Sequence, residues 1–146
     1  MNDPLTLLIK GFEGIRFQVY DDATGQPIVQ GSTVKGNPTV GYGRCLSTKG
    51  ITQAEADELL EDDITDVSHD VYFAIPCIQS LSENRQNVLL CLAFQVGTKG
   101  LLEFKDFLAA CQVGNWADAS AAMLDSLWAK QTPVRAQVLA QMIMDG

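Results

Sequence analysis

The chain has 146 residues, of which 47% are hydrophobic and 19% are charged, and its net charge is −8. This composition is typical of one globular domain and excludes a disordered chain. No apolar run approaches the ~20 residues of a membrane-spanning helix, so we expect no membrane insertion. The acidity argues against nucleic acid as a partner, because binding phosphates requires clustered Lys and Arg.

The first predicted element is a helix from Pro4 to Glu13. Asp3 suits its N-cap, Pro4 suits its first position, and Gly14 can adopt the left-handed conformation that ends a helix. Its apolar residues fall three or four positions apart, as one helix face requires: Leu5, Leu8, Ile9 and Phe12. Glu13 therefore lies in the last turn, just before a strand predicted at Arg16–Tyr20.

Glu13 and Asp22 form a candidate acid–base pair. A carboxylate at a helix C-terminus faces the negative end of the helix dipole, which favours the protonated form, and partial burial would act in the same direction. Asp22 lies in a Gly-containing turn, where water should keep it ionised. Glycoside hydrolysis uses such a pair. The alternative is that Glu13 is a solvated helix-end carboxylate and Asp22 a turn former.

A Gly- and Pro-containing segment, which we call the arm, covers residues 23–38. We expect it to be extended, with short strands at residues 27–30 and 32–35. It is either a surface insertion without function or a lid that contacts substrate.

The segment from Thr39 to Gly43 then returns the chain. Gly41 and Gly43 allow the backbone to approach a substrate closely, and Tyr42 offers a ring face and a hydroxyl. We therefore count these residues as candidates for substrate binding, although a Gly-Tyr-Gly sequence alone is weak support.

A long amphipathic helix is predicted from a capping box at Thr52–Glu55 to Pro76. Seven acidic residues lie on its outer face: Asp57, Glu58, Glu61, Asp62, Asp63, Asp66 and Asp70. A calcium site would place them in a Gly-containing loop, so a solvated helix face is favoured, and we predict no metal.

The remainder of the chain is predicted to be helical. One helix is predicted at Glu83–Val96, capped by Ser82 and ended by Gly97. The next has an apolar stripe of Phe104, Phe107, Leu108 and Cys111 and ends at Gly114. Two more are predicted: Trp116 to about Trp128, capped by Asn115, and Val134 to about Met144, begun by Thr132 and Pro133. Val88–Phe94 is apolar on every side, which predicts a central buried helix. Trp116, Trp128 and Phe94 are favoured as core residues over sugar-stacking platforms.

The four cysteines, Cys45, Cys77, Cys91 and Cys111, have no metal-binding spacing, and His69 is the only histidine. A zinc site is therefore not expected, and we predict no cofactor. We expect four reduced thiols, with one disulfide after export as the alternative, and we expect Cys91 and Cys111 to act as small hydrophobic residues.

These elements predict an α+β fold with two lobes. A small hairpin lobe of about residues 14–58 is joined by a helix of about residues 52–75 to a larger helical lobe, formed by about residues 1–13 and 76–146. We expect a substrate cleft between the lobes and hinge motion about the connecting helix.

Two stretches resemble phage lysozymes (endolysins) of glycoside hydrolase family 24, the T-even phage type. They are Lys10–Asp22, with the sequence KGFEGIRFQVYDD, and Thr39–Gly43, with the sequence TVGYG. Eight residues separate Glu13 from Asp22, as in the family. Sixteen residues, instead of the family's five, separate Asp22 from Thr39, so this chain carries a longer hairpin.

Two further stretches resemble the same family near the other end of the chain. Ser126–Ala136 is similar to its Trp followed by Gln-Thr-Pro-x-Arg-Ala, and Ala93–Gly100 is similar to its Phe-x-x-Gly turn. The resemblance therefore covers nearly the whole chain and implies the two-lobed lysozyme fold.

The resemblance implies a muramidase that cuts peptidoglycan between N-acetylmuramic acid and N-acetylglucosamine. Glu13 would be the general acid, Asp22 the base or electrostatic partner, Thr39 the residue that positions water, and Arg135 the partner that orients Glu13. Three more residues would contact the substrate: Phe94, Gln131 and Thr132. Carboxyl groups about 6.5–9.5 Å apart would give an inverted product, and about 5 Å a retained one.

Two other functions are compatible with the same residues. A lytic transglycosylase would use Glu13 as both acid and base, and would form an anhydro sugar without needing Asp22. A wall-binding or interaction protein without catalysis would tolerate Glu13→Gln. The chemistry of the product separates the first from a hydrolase, and the activity of that variant separates the second.

The expected partner is the peptidoglycan glycan strand, bound by a monomer. The net charge of −8 gives no long-range attraction to an anionic wall, so we expect a local positive rim, formed by Lys10, Arg16, Lys35, Arg44 and Arg135. The N-terminus lacks a signal peptide, so we expect the protein in the host cytoplasm before release and then in the periplasm or cell wall. The resemblance implies that a holin permits this release.

Overall fold

The computed structural model describes residues 3–146 and is mostly helical, with one small antiparallel sheet. The predicted α+β class is therefore confirmed. The elements are α1 (Pro4–Glu13), β1 (Arg16–Asp21), β2 (Pro38–Gly41), β3 (Arg44–Cys45), α2 (Gln53–Ala74), α3 (Glu83–Leu102), α4 (Lys105–Gln112), α5 (Trp116–Asp125), α6 (Leu127–Gln131) and α7 (Pro133–Asp145).

The chain divides into two compact units, the first ending at Asp57 and the second covering Glu58–Gly146. The first contains α1 and the sheet, α2 begins in the first and continues into the second, and the later helices belong to the second. The division runs close to the predicted one, but it places α1 with the sheet. The predicted lobes and the cleft between them stay predictions.

Helix α1 has the predicted caps. The carboxylate of Asp3 accepts hydrogen bonds from the backbone N–H groups of Leu5 and Thr6, both at 3.0 Å. At the other end, Gly14 donates its N–H to the carbonyl of Lys10 at 3.2 Å. Gly14 has φ 64° as expected, but its ψ of 170° is extended and not left-handed helical. Only glycine adopts this conformation readily, so Gly14 turns the chain sharply from α1 toward β1.

The sheet has the order β1-β2-β3, and both strand pairs are antiparallel. Arg16 pairs with Gly41 and Tyr20 with Thr39, so the three residues of β1 between these pairs lie opposite the single residue Val40 of β2. The register of β1 is therefore irregular between Arg16 and Tyr20, as it is at a β-bulge.

The arm does not form the two short strands expected at residues 27–30 and 32–35. Before Pro38, which pairs with Asp21, the arm has an isolated bridge between Pro27 and Tyr20, followed by a bond from the Ile28 N–H to the Val19 carbonyl at 2.9 Å. Further along the arm, the N–H groups of Lys35 and Gly36 bond a side chain and not another strand. The arm therefore leaves the sheet after β1 and returns to it at β2.

Among residues 3–146, every buried hydrophobic side chain belongs to the second unit. The largest fully buried ones are Phe107, Ile78, Leu89, Leu92, Leu101, Met123, Ile143, Val71 and Val88. Trp128 is buried, as predicted. Phe94 is 46% exposed, so its placement in the core and the prediction of a helix buried on every side are wrong.

Two helix ends in the second unit carry specific caps. Ser82 accepts a hydrogen bond from the Arg85 N–H at 3.4 Å, as predicted. Gly97 breaks the helical conformation with φ 77° and ψ 159°, but α3 resumes after this kink and continues to Leu102, beyond the predicted end. The single helix predicted from Trp116 to about Trp128 is wrong, because it breaks at Ser126. The Ser126 hydroxyl accepts from the Ala129 N–H at 3.1 Å and begins α6.

The four cysteines are free thiols. Cys111 is buried as expected, and its burial raises the pKa of the thiol to about 12. Cys91 is exposed, so the expectation that it acts as a small hydrophobic residue is not met by burial. Within residues 3–146, no group of three His, Cys, Asp or Glu side chains is arranged to hold a metal, and no helix is long and apolar enough to cross a membrane.

Alkylation of the native protein at pH 8 should distinguish these thiols. We expect iodoacetamide to modify the exposed Cys77 and Cys91, and to leave Cys111 unmodified because its thiolate is scarce and inaccessible. Peptide mass spectrometry measures the extent of modification at each site. Reaction in denaturant is the control, in which Cys111 should become reactive, whereas native Cys111 reacting as fast as Cys91 would contradict the buried position.

Candidate functional site

Glu13 lies where α1 ends and the chain turns into the sheet. Its side chain is exposed, so the expected partial burial is not observed. A Cβ atom added at Gly43 would stand 3.4 Å from Oε2 of Glu13, which locates this carboxylate beside the start of β3. Gly43 has φ 82°, a conformation that other residues rarely adopt. Glycine at this position thus permits the turn and leaves the Glu13 carboxylate uncrowded.

Asp22 lies at the opposite end of β1, in an exposed turn as expected. Asn37 donates twice to its carboxylate: the backbone N–H to Oδ1 at 2.7 Å, and the side-chain Nδ2 to Oδ2 at 3.2 Å. Gly36 lies close by, and a Cβ atom there would collide with Oδ1 of Asp22 and with Ala23. The end of the arm therefore packs directly against this carboxylate.

Thr39 pairs with Tyr20 across β1 and β2 and is 3% exposed. Its hydroxyl donates to the backbone carbonyl of Asn37 at 3.1 Å. The hydroxyl hydrogen is thereby used, and the oxygen keeps lone pairs that can accept a bond from water. Asn37 contacts both Asp22 and Thr39, so the long arm still brings these two predicted residues to one point.

Sequence analysis missed the role of Asp21. This side chain is 3% exposed and accepts three backbone N–H bonds: from Lys35 at 2.7 Å, Gly36 at 2.9 Å and Ala23 at 3.0 Å. The bonds, above all that from Lys35, hold the pKa of Asp21 below its usual value. The signal was the Asp21–Asp22 doublet, since adjacent residues at a strand end face opposite sides.

Replacing Asp21 by Asn should reduce the free energy of unfolding at neutral pH, because an amide offers one acceptor oxygen to three donors. The lowered pKa means that the carboxylate's stabilisation is complete above the unfolded-state pKa of about 3.9 and is lost as the pH falls through the folded-state value. Urea unfolding of wild type and Asp21→Asn from pH 7 to pH 2 measures this. The difference between them should shrink below about pH 4.

The control for this measurement is Asp62→Asn, which changes an exposed carboxylate on α2. It should differ little from wild type at any pH, as surface substitutions usually do. A stability difference between wild type and Asp21→Asn that is as large at pH 2 as at pH 7 would contradict this role of the ionised carboxylate.

The residues after Thr39 are partly accessible. Tyr42 is 40% exposed, and the ammonium of Lys10 lies 5.4 Å from the centre of its ring. Gly41 has φ 65°, so its conformation also favours glycine. These positions are consistent with contact between a sugar and this edge of the first unit, and substrate binding here stays a prediction.

The expected positive rim is wrong for Arg44. Its guanidinium makes a two-point ion pair with Glu55, at 2.5 and 2.9 Å, and Nε donates to the Gly50 carbonyl at 2.7 Å. Glu55 also accepts from the Thr52 N–H at 2.8 Å, which confirms the predicted capping box. The charge of Arg44 is thus compensated at the start of α2. The guanidinium carbon of Arg16, another residue of the expected rim, lies 4.4 Å from the centre of the Tyr20 ring.

The remaining predicted residues belong to the second unit. Phe94 and Arg135 line an apolar groove of about 680 Å³, and Arg135 donates to the side-chain oxygen of Gln95 at 2.5 Å. Gln131 lines a separate cavity of about 480 Å³, and the hydroxyl of Thr132 donates to the carbonyl of Trp128 at 2.9 Å. The pairing of Arg135 with Glu13, and the distance between the carboxyl groups of Glu13 and Asp22, stay predictions.

Known proteins match this chain over most of its length. A family model described as phage lysozyme matches residues 10–142. The pre-baseplate central spike protein Gp5 of Enterobacteria phage T4 is 30% identical over 162 aligned positions, which cover 99% of this chain and 28% of that protein. The family match includes both regions in which the sequence motifs lie.

Two relatives from Dictyostelium discoideum are also similar. Probable T4-type lysozyme 1 is 28% identical over 100 positions, covering 66% of this chain and 58% of that protein. Probable T4-type lysozyme 2 is 25% identical over 169 positions, covering 95% of this chain and 92% of that protein. The chain therefore spans less than two thirds of Gp5 and of the first Dictyostelium protein, and most of the second.

Proposed function

This chain belongs to the phage lysozyme family, and we propose that it is a muramidase that hydrolyses the β-1,4 bond between N-acetylmuramic acid and N-acetylglucosamine in peptidoglycan. One observation supports the proposal above the others. Two carboxylates flank strand β1: Glu13 at the end of α1, before the strand, and Asp22 in the turn after it, where Asn37 bonds both Asp22 and Thr39. Hydrolysis of a glycoside requires two such groups acting on opposite sides of the bond.

In the proposed reaction, Glu13 donates a proton to the glycosidic oxygen, and the bond between this oxygen and the anomeric carbon breaks with its electron pair going to the oxygen. A water molecule attacks the anomeric carbon and transfers a proton to Asp22. The two carboxyl groups then regain their starting protonation by exchange with solvent. Water is consumed, and each new chain end carries a hydroxyl group.

Thr39 is suited to position the attacking water. Its hydroxyl hydrogen is donated to the Asn37 carbonyl, so its oxygen can act only as an acceptor toward another group. A water that donates one hydrogen to Thr39 and the other to Asp22 would keep a lone pair for attack.

The exposed Tyr42 ring, Gly41 and Gly43 would form the wall of the substrate site in the first unit. We further propose that the substrate is a peptidoglycan strand, reached from the host cytoplasm after a holin opens the inner membrane. This delivery follows from the family resemblance and is separate from the chemistry.

Glu13→Gln should reduce the rate at which the protein clears permeabilised Gram-negative cells by about 100- to 10,000-fold, because the amide cannot donate the required proton. Turbidity loss measures the rate. Glu58→Gln, which changes an exposed glutamate on α2, is the matched control and should clear cells at the wild-type rate.

Equal clearing by wild type and Glu13→Gln would contradict the proposed enzyme. Mass spectrometry of the released fragments provides a second check, since hydrolysis adds water across the bond. Anhydro sugars as the main product would instead identify a lytic transglycosylase.

A further inference from the structure

We propose that Asn37 is a positioning residue, which orients Asp22 and fixes Thr39 for the hydrolytic step. The inference rests on the proposed function, and it concerns a residue of the arm that sequence analysis did not select. Asn37 lies fifteen positions after Asp22, where the arm rejoins the sheet.

Every polar group of Asn37 is used. Its backbone N–H and side-chain Nδ2 donate to the two different oxygens of Asp22. Its backbone carbonyl accepts from the Asp22 N–H and from the Thr39 hydroxyl, each at 3.1 Å. Its side-chain Oδ1 accepts from the Ser47 hydroxyl at 3.1 Å. One residue therefore joins the proposed base, the residue proposed to position water and the segment after β3.

Two donors on two oxygens fix the plane of the Asp22 carboxylate. A single donor would leave the group free to rotate about its last side-chain bond, which has a broad energy minimum. A base must direct a lone pair at the proton that it removes, so this rotation would reduce the rate without changing the affinity for the glycan.

Ser47 supports the Asn37 amide from the side opposite to Asp22, whose carboxylate only accepts and therefore requires Nδ2 to face it. The Ser47 hydroxyl donates to Oδ1, and the opposite side of the amide presents Nδ2 to Asp22. The thiol of Cys45 lies 3.3 Å from the Ser47 oxygen and completes the set of contacts. An amide is suited to this position because it donates on one side and accepts on the other.

The fold brings Asn37 to Asp22 through the preceding residues of the arm. Asp21 binds the N–H groups of Lys35 and Gly36, and the missing side chain of Gly36 lets the backbone pass beside Asp22. The arm, which is the main departure from the family spacing, thereby delivers a polar residue to the proposed site.

Because Asn37 is exposed, the effect of its substitution on catalysis can be distinguished from an effect on folding. Asn37 and Asp22 are both exposed, and an exposed hydrogen bond contributes little to stability. Removing the amide should therefore affect the chemical step far more than the melting temperature.

The test measures kcat and KM on soluble, uncrosslinked peptidoglycan strands. Asn37→Ala should lower kcat about tenfold, which corresponds to one hydrogen bond to a charged group, with KM within twofold of wild type. Asn37→Asp keeps the shape of the side chain and should lower kcat further, because a like charge then faces Asp22. This second variant also serves if Asn37→Ala folds poorly.

Two more variants give the comparison its controls. Asn84→Ala removes an exposed asparagine that donates to the Gly146 carbonyl in the second unit, and it should retain the wild-type kcat. Ser47→Ala should lower kcat less than Asn37→Ala, and the double variant should equal Asn37→Ala alone, because Ser47 acts through the amide.

The outcomes distinguish this inference from the function on which it rests. A wild-type protein that releases no reducing ends would overturn the proposed hydrolysis, and the role of Asn37 with it. An active wild type in which Asn37→Ala keeps full kcat, or changes only KM, would overturn the positioning role alone. Additive losses from Asn37→Ala and Ser47→Ala would also overturn it, since the two residues would then act separately.

Discussion

The arrangement of the first unit depends on the buried carboxylate of Asp21. A carboxylate that is 3% exposed must have its oxygens satisfied, and here three backbone N–H groups from both ends of the arm do so. These three bonds hold the two ends of the arm beside each other, whatever the conformation of the other residues among the sixteen between Asp22 and Thr39. The positions of Asp22 and Asn37 follow directly from this closure, because each is adjacent to a residue that the closure holds, and Thr39 bonds the carbonyl of Asn37.

Glycines and a bulge control the other half of the arrangement. Gly14 turns the chain out of α1 directly after Glu13, and Gly43 leaves space beside that carboxylate. The register of β1 shifts between Arg16 and Tyr20, in the strand that separates Glu13 from Asp22. The backbone at Gly14, Gly43 and β1 thus helps to place both proposed catalytic groups.

Features set by nearby residues could be predicted from the sequence. The capping residues Asp3, Ser82 and Asn115 and the capping box at Thr52 bond groups within three positions, and each occurs as expected. The helical majority and the strand after Gly14 followed from periodicity in the same way. The α+β class could therefore be predicted without any contact between distant residues.

Features that depend on distant partners could not be predicted. Asp21 and Asn37 bond residues fourteen or fifteen positions away. The adjacent sequence therefore does not indicate whether Asp21 or Asp22 is buried, or which residue of the arm bonds Asp22. The break at Ser126 was missed because a serine that caps α6 also fits within a continuous helix pattern. Arg44 was expected in the positive rim because Glu55 was recognised only as part of the capping box and not as the partner of Arg44 in an ion pair.

The central claim is that Asp22, held by Asn37, activates a water on the side of the sugar opposite to the leaving group. Proton NMR of the first reducing ends formed from a soluble glycan strand, recorded before the anomers equilibrate, tests it most directly. The account predicts the α anomer, because direct attack by water inverts the β configuration. Initial formation of the β anomer would contradict it, since retention requires a covalent intermediate or an equivalent double displacement.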